Sequence, residues 1–134
     1  MGGVKENMIE IKEVSGLPFT EVHVNFRGKS IRLENVLIDT GSAGTIFNVN
    51  KLEKIGVKPE ANDVTQTIQG IGGIEFVYTK SIDKIKISEE IAISNFLVEL
   101  GSMDYGLELN GIIGYDFMKE VGLVIDLKKF NISI

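Results

Sequence analysis

Val36-Leu37-Ile38-Asp39-Thr40-Gly41-Ser42 runs three aliphatic residues straight into an acid, a hydroxyl, a glycine and a second hydroxyl. The triplet has the character of a buried strand. A strand that ends inward on an unpaired carboxylate is expensive, because the charge loses its water. The residues that follow are suited to hold that charge rather than tolerate it. Gly41 lets the backbone turn sharply and bring its N–H groups close. Thr40 and Ser42 carry hydroxyls that can donate to carboxylate oxygens or lock the loop. Taken alone, the tetrapeptide also fits a structural turn in many folds, and two further stretches decide between the readings.

The first is Asn110-Gly111-Ile112-Ile113-Gly114-Tyr115-Asp116, a second aliphatic pair followed by glycine and entering a short helix. The second, Thr67-Ile68-Gln69-Gly70-Ile71-Gly72-Gly73-Ile74-Glu75-Phe76, reads as two strands around a glycine-rich tip and lies between the other two. With all three in this order, the chain resembles the retropepsin-like aspartic proteases, the single-domain relatives of pepsin. The resemblance implies an all-β, closed-barrel-like acid protease fold, single-lobed, with one or two short helices. It places the protease domain at residues 19–134, with 1–18 as an N-terminal extension or strand.

It also implies an activity, aspartic endopeptidase, and a set of roles. Peptide hydrolysis by this route uses two facing carboxylates that share a proton. A chain with one Asp-Thr-Gly-Ser takes its second acid from another copy of itself, so an isologous homodimer is expected, with Asp39 at the axis. By the resemblance Asp39 is the general acid/base, and Thr40 braces the two loops across the subunits. Gly41 offers its N–H to the carboxylates, and Ser42 donates to an outer carboxylate oxygen, favouring an acidic optimum. Gly70, Ile71, Gly72 and Gly73 form the tip of a flap over a bound peptide. Ile74, Phe76 and Ile113 are candidates for apolar side-chain pockets.

The departures are informative. Retroviral members follow the first motif with acids and the second with an arginine, which tie loop to helix; here Ala43-Gly44-Thr45 and Tyr115 stand in those places. The flap lacks the tyrosine of pepsins, although Tyr78 lies a few positions on. The tail, Asn131 to Ile134, is apolar enough to pair in an intersubunit sheet. The N-terminal Met8, Ile9, Ile11 and Val14 compete for the same edge.

Composition agrees and excludes. At 134 residues the chain is one domain, too short for the two lobes of a pepsin. Its net charge of −5, without a basic block, argues against nucleic acid or an anionic membrane as partner. There is no cysteine, hence no disulfide or thiolate chemistry. The lone His23 leaves no multi-histidine metal site, and neither a metal nor another cofactor is expected. No transmembrane run or signal peptide is legible, which points to the cytoplasm, and the opening Met1-Gly2-Gly3 leaves room for an excised leader.

Periodicity supplies the elements. Phe19 to Phe26 alternates, with Val22, Val24 and Phe26 on one face and Glu21, His23 and Asn25 on the other. Arg27-Gly28-Lys29 turns it into a strand with Ile31 and Leu33 inward. Asn48 to Gly56 reads as a short helix capped by asparagine and closed by a left-handed glycine. Tyr115 to Gly122 repeats that grammar, with Asp116 as its cap. Ile82–Ile87, Ile91–Leu100, Leu123–Leu127 and Phe130–Ile134 complete the strands, and Asp126 reads as a hairpin or edge residue rather than a second catalytic acid. Two other functions fit less of the chain: a non-catalytic dimerisation or peptide-binding module on this fold, and a small-ligand barrel in which the acid loop is a turn.

Overall fold

The alternating stretch around Val22 forms a ten-residue strand whose inward residues, Val22, Val24 and Phe26, are buried. The computed structural model describes residues 8–70, 73–103 and 108–134. In chain order the elements are β1 (Ile9–Glu10), β2 (Lys12–Val14), β3 (Leu17–Phe26), β4 (Lys29–Ile38), β5 (Ile46–Asn48), α1 (Val49–Glu53) and β6 (Thr65–Gly70). There follow β7 (Gly73–Lys86), β8 (Ala92–Gly101), β9 (Gly111–Ile113), α2 (Tyr115–Val121), β10 (Val124–Asp126) and β11 (Asn131–Ser133). Both helices are short, as the two glycines predict: Gly56 and Gly122 take the left-handed conformation, with φ +87° and +69°. Asn48 caps α1 by accepting the Asn50 N–H at 2.9 Å.

The large sheet has the order β2-β3-β4-β9-β5-β8-β7-β6, and β3 also pairs with β7. That extra pairing closes β3, β4, β9, β5, β8 and β7 into a six-stranded barrel, which removes most of the exposed edge an open sheet would leave. Leu33, Phe47, Ile82, Ile85, Leu100, Ile113 and Phe117 fill its core, each buried. The fold is all-β with two short helices and a single lobe.

β4 is longer than its alternation allows. Ile31 and Leu33 share one parity while Val36 and Ile38 share the other, yet Leu33, Val36 and Ile38 are all buried. Pairing steps from Val22↔Leu33 to Thr20↔Val36, so β4 carries one extra residue, and Asn35 takes φ +55°. The carbonyls turned aside by this bulge are collected by Asn110: its N–H donates to Asn35 O at 3.1 Å and its Nδ2 to Glu34 O at 2.7 Å. The bulge therefore sets the phase in which Ile38 arrives at Asp39.

Residues 9–14 of the N-terminal segment pack into the lobe. β1 pairs with β11, β2 pairs with β3, and Ile11 between them is 1% exposed. β1, β11 and β10 form a separate three-stranded sheet.

β7 runs without a break from its ladder with β6 into the barrel wall. Its first half pairs with β6 from Gly70↔Gly73 to Thr65↔Tyr78, and its second half pairs with β8. Where the two regimes meet, Lys80 is 5% exposed and donates to Asp63 Oδ2 at 2.6 Å and to Glu60 Oε1 at 2.5 Å. Arg27 clasps Glu60 from the β3–β4 turn through both guanidinium nitrogens. These bonds from Arg27 and Lys80 hold the Glu60 carboxyl down at about 2, and the Lys80 bond lowers Asp63 as well. Burial pulls the Lys80 ammonium down, but its bonds to Asp63 and Glu60 outweigh that and leave it raised.

A depressed carboxyl contributes stability that is present above its unfolded pKa and is lost as pH falls through the folded one. The denaturant midpoint is therefore expected to fall as pH drops from about 4.5 towards about 2. In a Lys80→Met variant that slope should flatten. Equal slopes in the two proteins would remove the Lys80 bonds as a source of the acid sensitivity.

Candidate active site

Asp39 sits where β4 ends. Its own N–H continues the parallel β4–β9 ladder by donating to Ile113 O at 3.0 Å, and the residue is half-buried. Oδ1 accepts the Gly41 N–H at 2.9 Å, and the Ser42 N–H returns to Asp39 O at 3.2 Å. Thr40 and Gly41 are exposed at the tip of the turn. Ser42 spends its one hydroxyl proton on Gly44 O, at 2.8 Å, so that proton is not directed at the carboxylate.

The loop is tied to the second motif at two points. Tyr115 N–H donates to Ser42 O at 2.7 Å. Buried Thr45 is the other point: its Oγ1 donates to Asp116 Oδ1 at 2.8 Å, and the same oxygen accepts the Gly114 N–H at 3.0 Å. Its N–H reaches Asp116 Oδ2 at 3.2 Å. Asp116 Oδ1 also takes the Phe117 N–H at 2.7 Å. The N-cap position itself is held by Gly114, and Asp116 lies two residues further, inside the first turn of α2. The loop-to-helix tie that retroviral members make with acids and an arginine is thus made here by a hydroxyl and an acid. The sequence reading missed this pair; the signal was a threonine six residues beyond Asp39 and an acid two beyond Gly114.

Thr45→Val keeps the shape and deletes the hydroxyl, leaving a buried N–H and a carboxylate oxygen short of a partner. A cost of about 1–3 kcal/mol is expected in chemical denaturation. Thr45→Ser should stay within about 1 kcal/mol of wild type, because the bonding oxygen remains. Equal losses in both variants would point to packing instead.

The other expected site residues divide. Gly70 and Gly73 close the β6–β7 ladder as partners, whereas Ile71 and Gly72 lie outside the described residues. Ile74 and Phe76 lie on β7, opposite Gln69 and Thr67. Ile113, expected in a pocket, is fully buried in the main core. β9 alternates, and its neighbour Ile112 turns to the other side. Ile112 there packs, half-buried with Leu37, against a second apolar cluster of Phe19, Ile46, Val77, Met103 and Leu109. Asp126 holds the Lys129 N–H at 2.9 Å in the β10–β11 turn. His23 is half-exposed, 3.5 Å from Glu21. Tyr78 is buried at the end of the β6–β7 ladder, and that burial pushes its hydroxyl up to about 12. Among the described residues no cluster of three or more potential ligands for a metal ion occurs, and no helix is long and apolar enough to cross a membrane.

A single-lobed six-stranded barrel, with an Asp-Thr-Gly loop at a strand end locked to a glycine-led helix, defines an aspartic protease of the retropepsin-like kind. The chain belongs to the aspartyl protease family, whose profile matches residues 22–117. No curated protein matches it by sequence. Among solved structures it is similar to a retropepsin-like aspartic protease from Rickettsia conorii, with TM-score 0.67 and 18% identity over 93% of this chain and 97% of that one. It is also similar to the EIAV protease complexed with the inhibitor HBY-793, with TM-score 0.59 and 18% identity over 87% of this chain and 98% of that one.

Proposed function

We propose that the protein is an endopeptidase whose catalytic dyad is formed by Asp39 of two identical subunits. The observation that carries this reading is the placement of Asp39: it ends a barrel strand on a braced loop with Thr40 exposed beside it. The nearby alternatives are committed elsewhere, Asp116 to Thr45 and Asp126 to its turn.

In such a dyad the two carboxylates share one proton, since like charges in contact do not both ionise. The ionised carboxylate takes a proton from water as the water oxygen attacks the scissile carbonyl carbon. The protonated one supports the developing oxyanion. Collapse of the tetrahedral intermediate breaks the C–N bond and delivers a proton to the leaving amine. Gly41 holds the carboxylate in plane through its N–H, and the Thr45–Asp116 tie keeps the loop from shifting. Gly70 to Gly73 form the flap tip over the peptide, and the face bearing Leu37, Ile46 and Ile112 receives apolar side chains of the substrate. The test is cleavage of a denatured protein, from acidic to neutral pH, by the wild-type chain and by Asp39→Asn. A pepstatin-sensitive activity present in the first and lost in the second is expected. Retention of cleavage in the variant would overturn the reading.

A further inference from the structure

We infer that Glu99 sets the substrate preference of this site, its carboxylate taking the cationic head of a lysine or arginine in the peptide. The inference rests on the endopeptidase reading and adds which side chain the cleft selects.

Register places Glu99 in the wall beside the Asp39 loop. Across the paired strands Leu37 lies beside Ile112, Ile112 beside Ile46, Ile46 beside Glu99, and Glu99 beside Thr79. Paired residues on neighbouring strands project from the same face. The face bearing Leu37, Ile112 and Ile46 therefore continues into Glu99, which carries the one charge in this row. The row starts close to the reacting group, since Leu37 stands two residues before Asp39. Glu99 is also fastened to the Asp39 loop: its N–H donates to Thr45 O at 3.0 Å. Gly44 in that loop leaves room for its side chain, because a Cβ there would lie 2.8 Å from Glu99 Oε1.

The carboxylate has no work inside the chain. Five other acids among the described residues are half-buried, and each has a partner. Glu21 has Arg32, Asp39 the Gly41 N–H, Asp63 Lys80, Asp116 Thr45, and Asp126 the Lys129 N–H. Glu99 is half-buried too, yet its side chain meets neither a hydrogen-bond donor nor a cation among the described residues.

Such a group has given up part of its water and gains most from a partner that brings charge and donors together. Its row neighbours Ile46 and Ile112 supply neither. A lysine or arginine side chain fits both parts of the wall: its aliphatic stem packs along the isoleucines while its head reaches the acid. An acidic side chain there would be repelled, and a neutral one would leave the carboxylate without a counter-charge. Strands lie about 4.8 Å apart, so the three steps from Leu37 to Glu99 cover about 14 Å, which an extended peptide spans in about four residues.

Cut sites in a denatured protein mixture, read by mass spectrometry, should show lysine or arginine enriched at one fixed position within about four residues of the bond. Two peptides built on such a site, differing only in Lys or Gln at that position, make the test quantitative. The wild-type chain should favour the lysine peptide by about 10-fold in kcat/KM. In Glu99→Gln that ratio should fall to about 1, and Glu99→Lys should prefer a third peptide carrying Glu there. A ratio cancels any general loss of activity, which a merely structural role would impose on all three peptides alike. Thermal denaturation verifies that both variants are folded. A Glu99→Gln chain that keeps the wild-type ratio, or a wild-type chain without the preference, would overturn the subsite and leave the dyad standing. Cleavage retained by Asp39→Asn, or none by the wild-type chain, would overturn the dyad and the subsite with it.

Discussion

Asp39→Asn should lower cleavage by at least about 10³-fold while leaving the fold intact. The second half of that expectation follows from geometry. Gly41 N–H reaches Oδ1 at 2.9 Å, and an asparagine carbonyl in the same rotamer accepts that bond equally well. The loss is therefore chemical: an amide neither takes a proton from water nor shares one with a facing carboxylate. Mixing separates this from a single-subunit mechanism. When equal amounts of wild-type and variant chains exchange freely, about half of the wild-type subunits fall into mixed dimers, and the rate per wild-type subunit should halve. A rate per wild-type subunit unmoved by the added variant, with exchange verified, would mean that each chain works alone.

Gly114→Ala is expected to be the most damaging single-methyl substitution in the site. Its φ of −96° is open to any residue, so the constraint is not conformational. A Cβ there would collide with Gly44 O and lie 2.6 Å from Gly44 C and 2.9 Å from Ser42 O. All three are backbone atoms of the Asp39 loop and cannot rotate away. Either the loop or the helix start must move, which breaks the Gly114–Thr45 and Tyr115–Ser42 bonds together. A destabilisation of about 3 kcal/mol follows, lowering Tm on the order of 10 °C. Measured well below that Tm, cleavage should still be depressed, because the surviving fold holds Asp39 out of register. A variant with wild-type Tm and rate would show that the close approach is unimportant.

Much of this was legible in the sequence where the cause is local. The Asp39 loop announces itself because an aliphatic run, an acid and a glycine each do a job within a few residues. Both short helices were readable from Asn48, Gly56 and Gly122, whose conformational demands need no distant partner. What escaped were features set by register or by long contacts. That Ile113 faces the main core and Ile112 the other side is a matter of one residue on a three-residue strand, and which face looks inward depends on β9 lying between β4 and β5. The phase change in β4 is hidden because it resides in Asn35 and in the distant Asn110 that satisfies it. The Thr45–Asp116 tie joins residues 71 apart, and only their fixed offsets from the two motifs hint at it. The N-terminal strands were set apart as an extension because their partners, β11 and β3, lie far along the chain or across a turn.

β7 makes one further point. A single unbroken strand is a two-stranded ribbon with β6 up to Tyr78 and a barrel stave with β8 beyond it. A ribbon bends far more easily than a closed barrel, so the strand behaves as a lever whose stiff arm is embedded in the wall. The buried Lys80 with Glu60, Asp63 and Arg27 stands at the change of stiffness, where a fulcrum belongs. A load on the free end of this ribbon is thereby delivered to the α1–β6 loop and the β3–β4 turn, not to the strand that ends in Asp39.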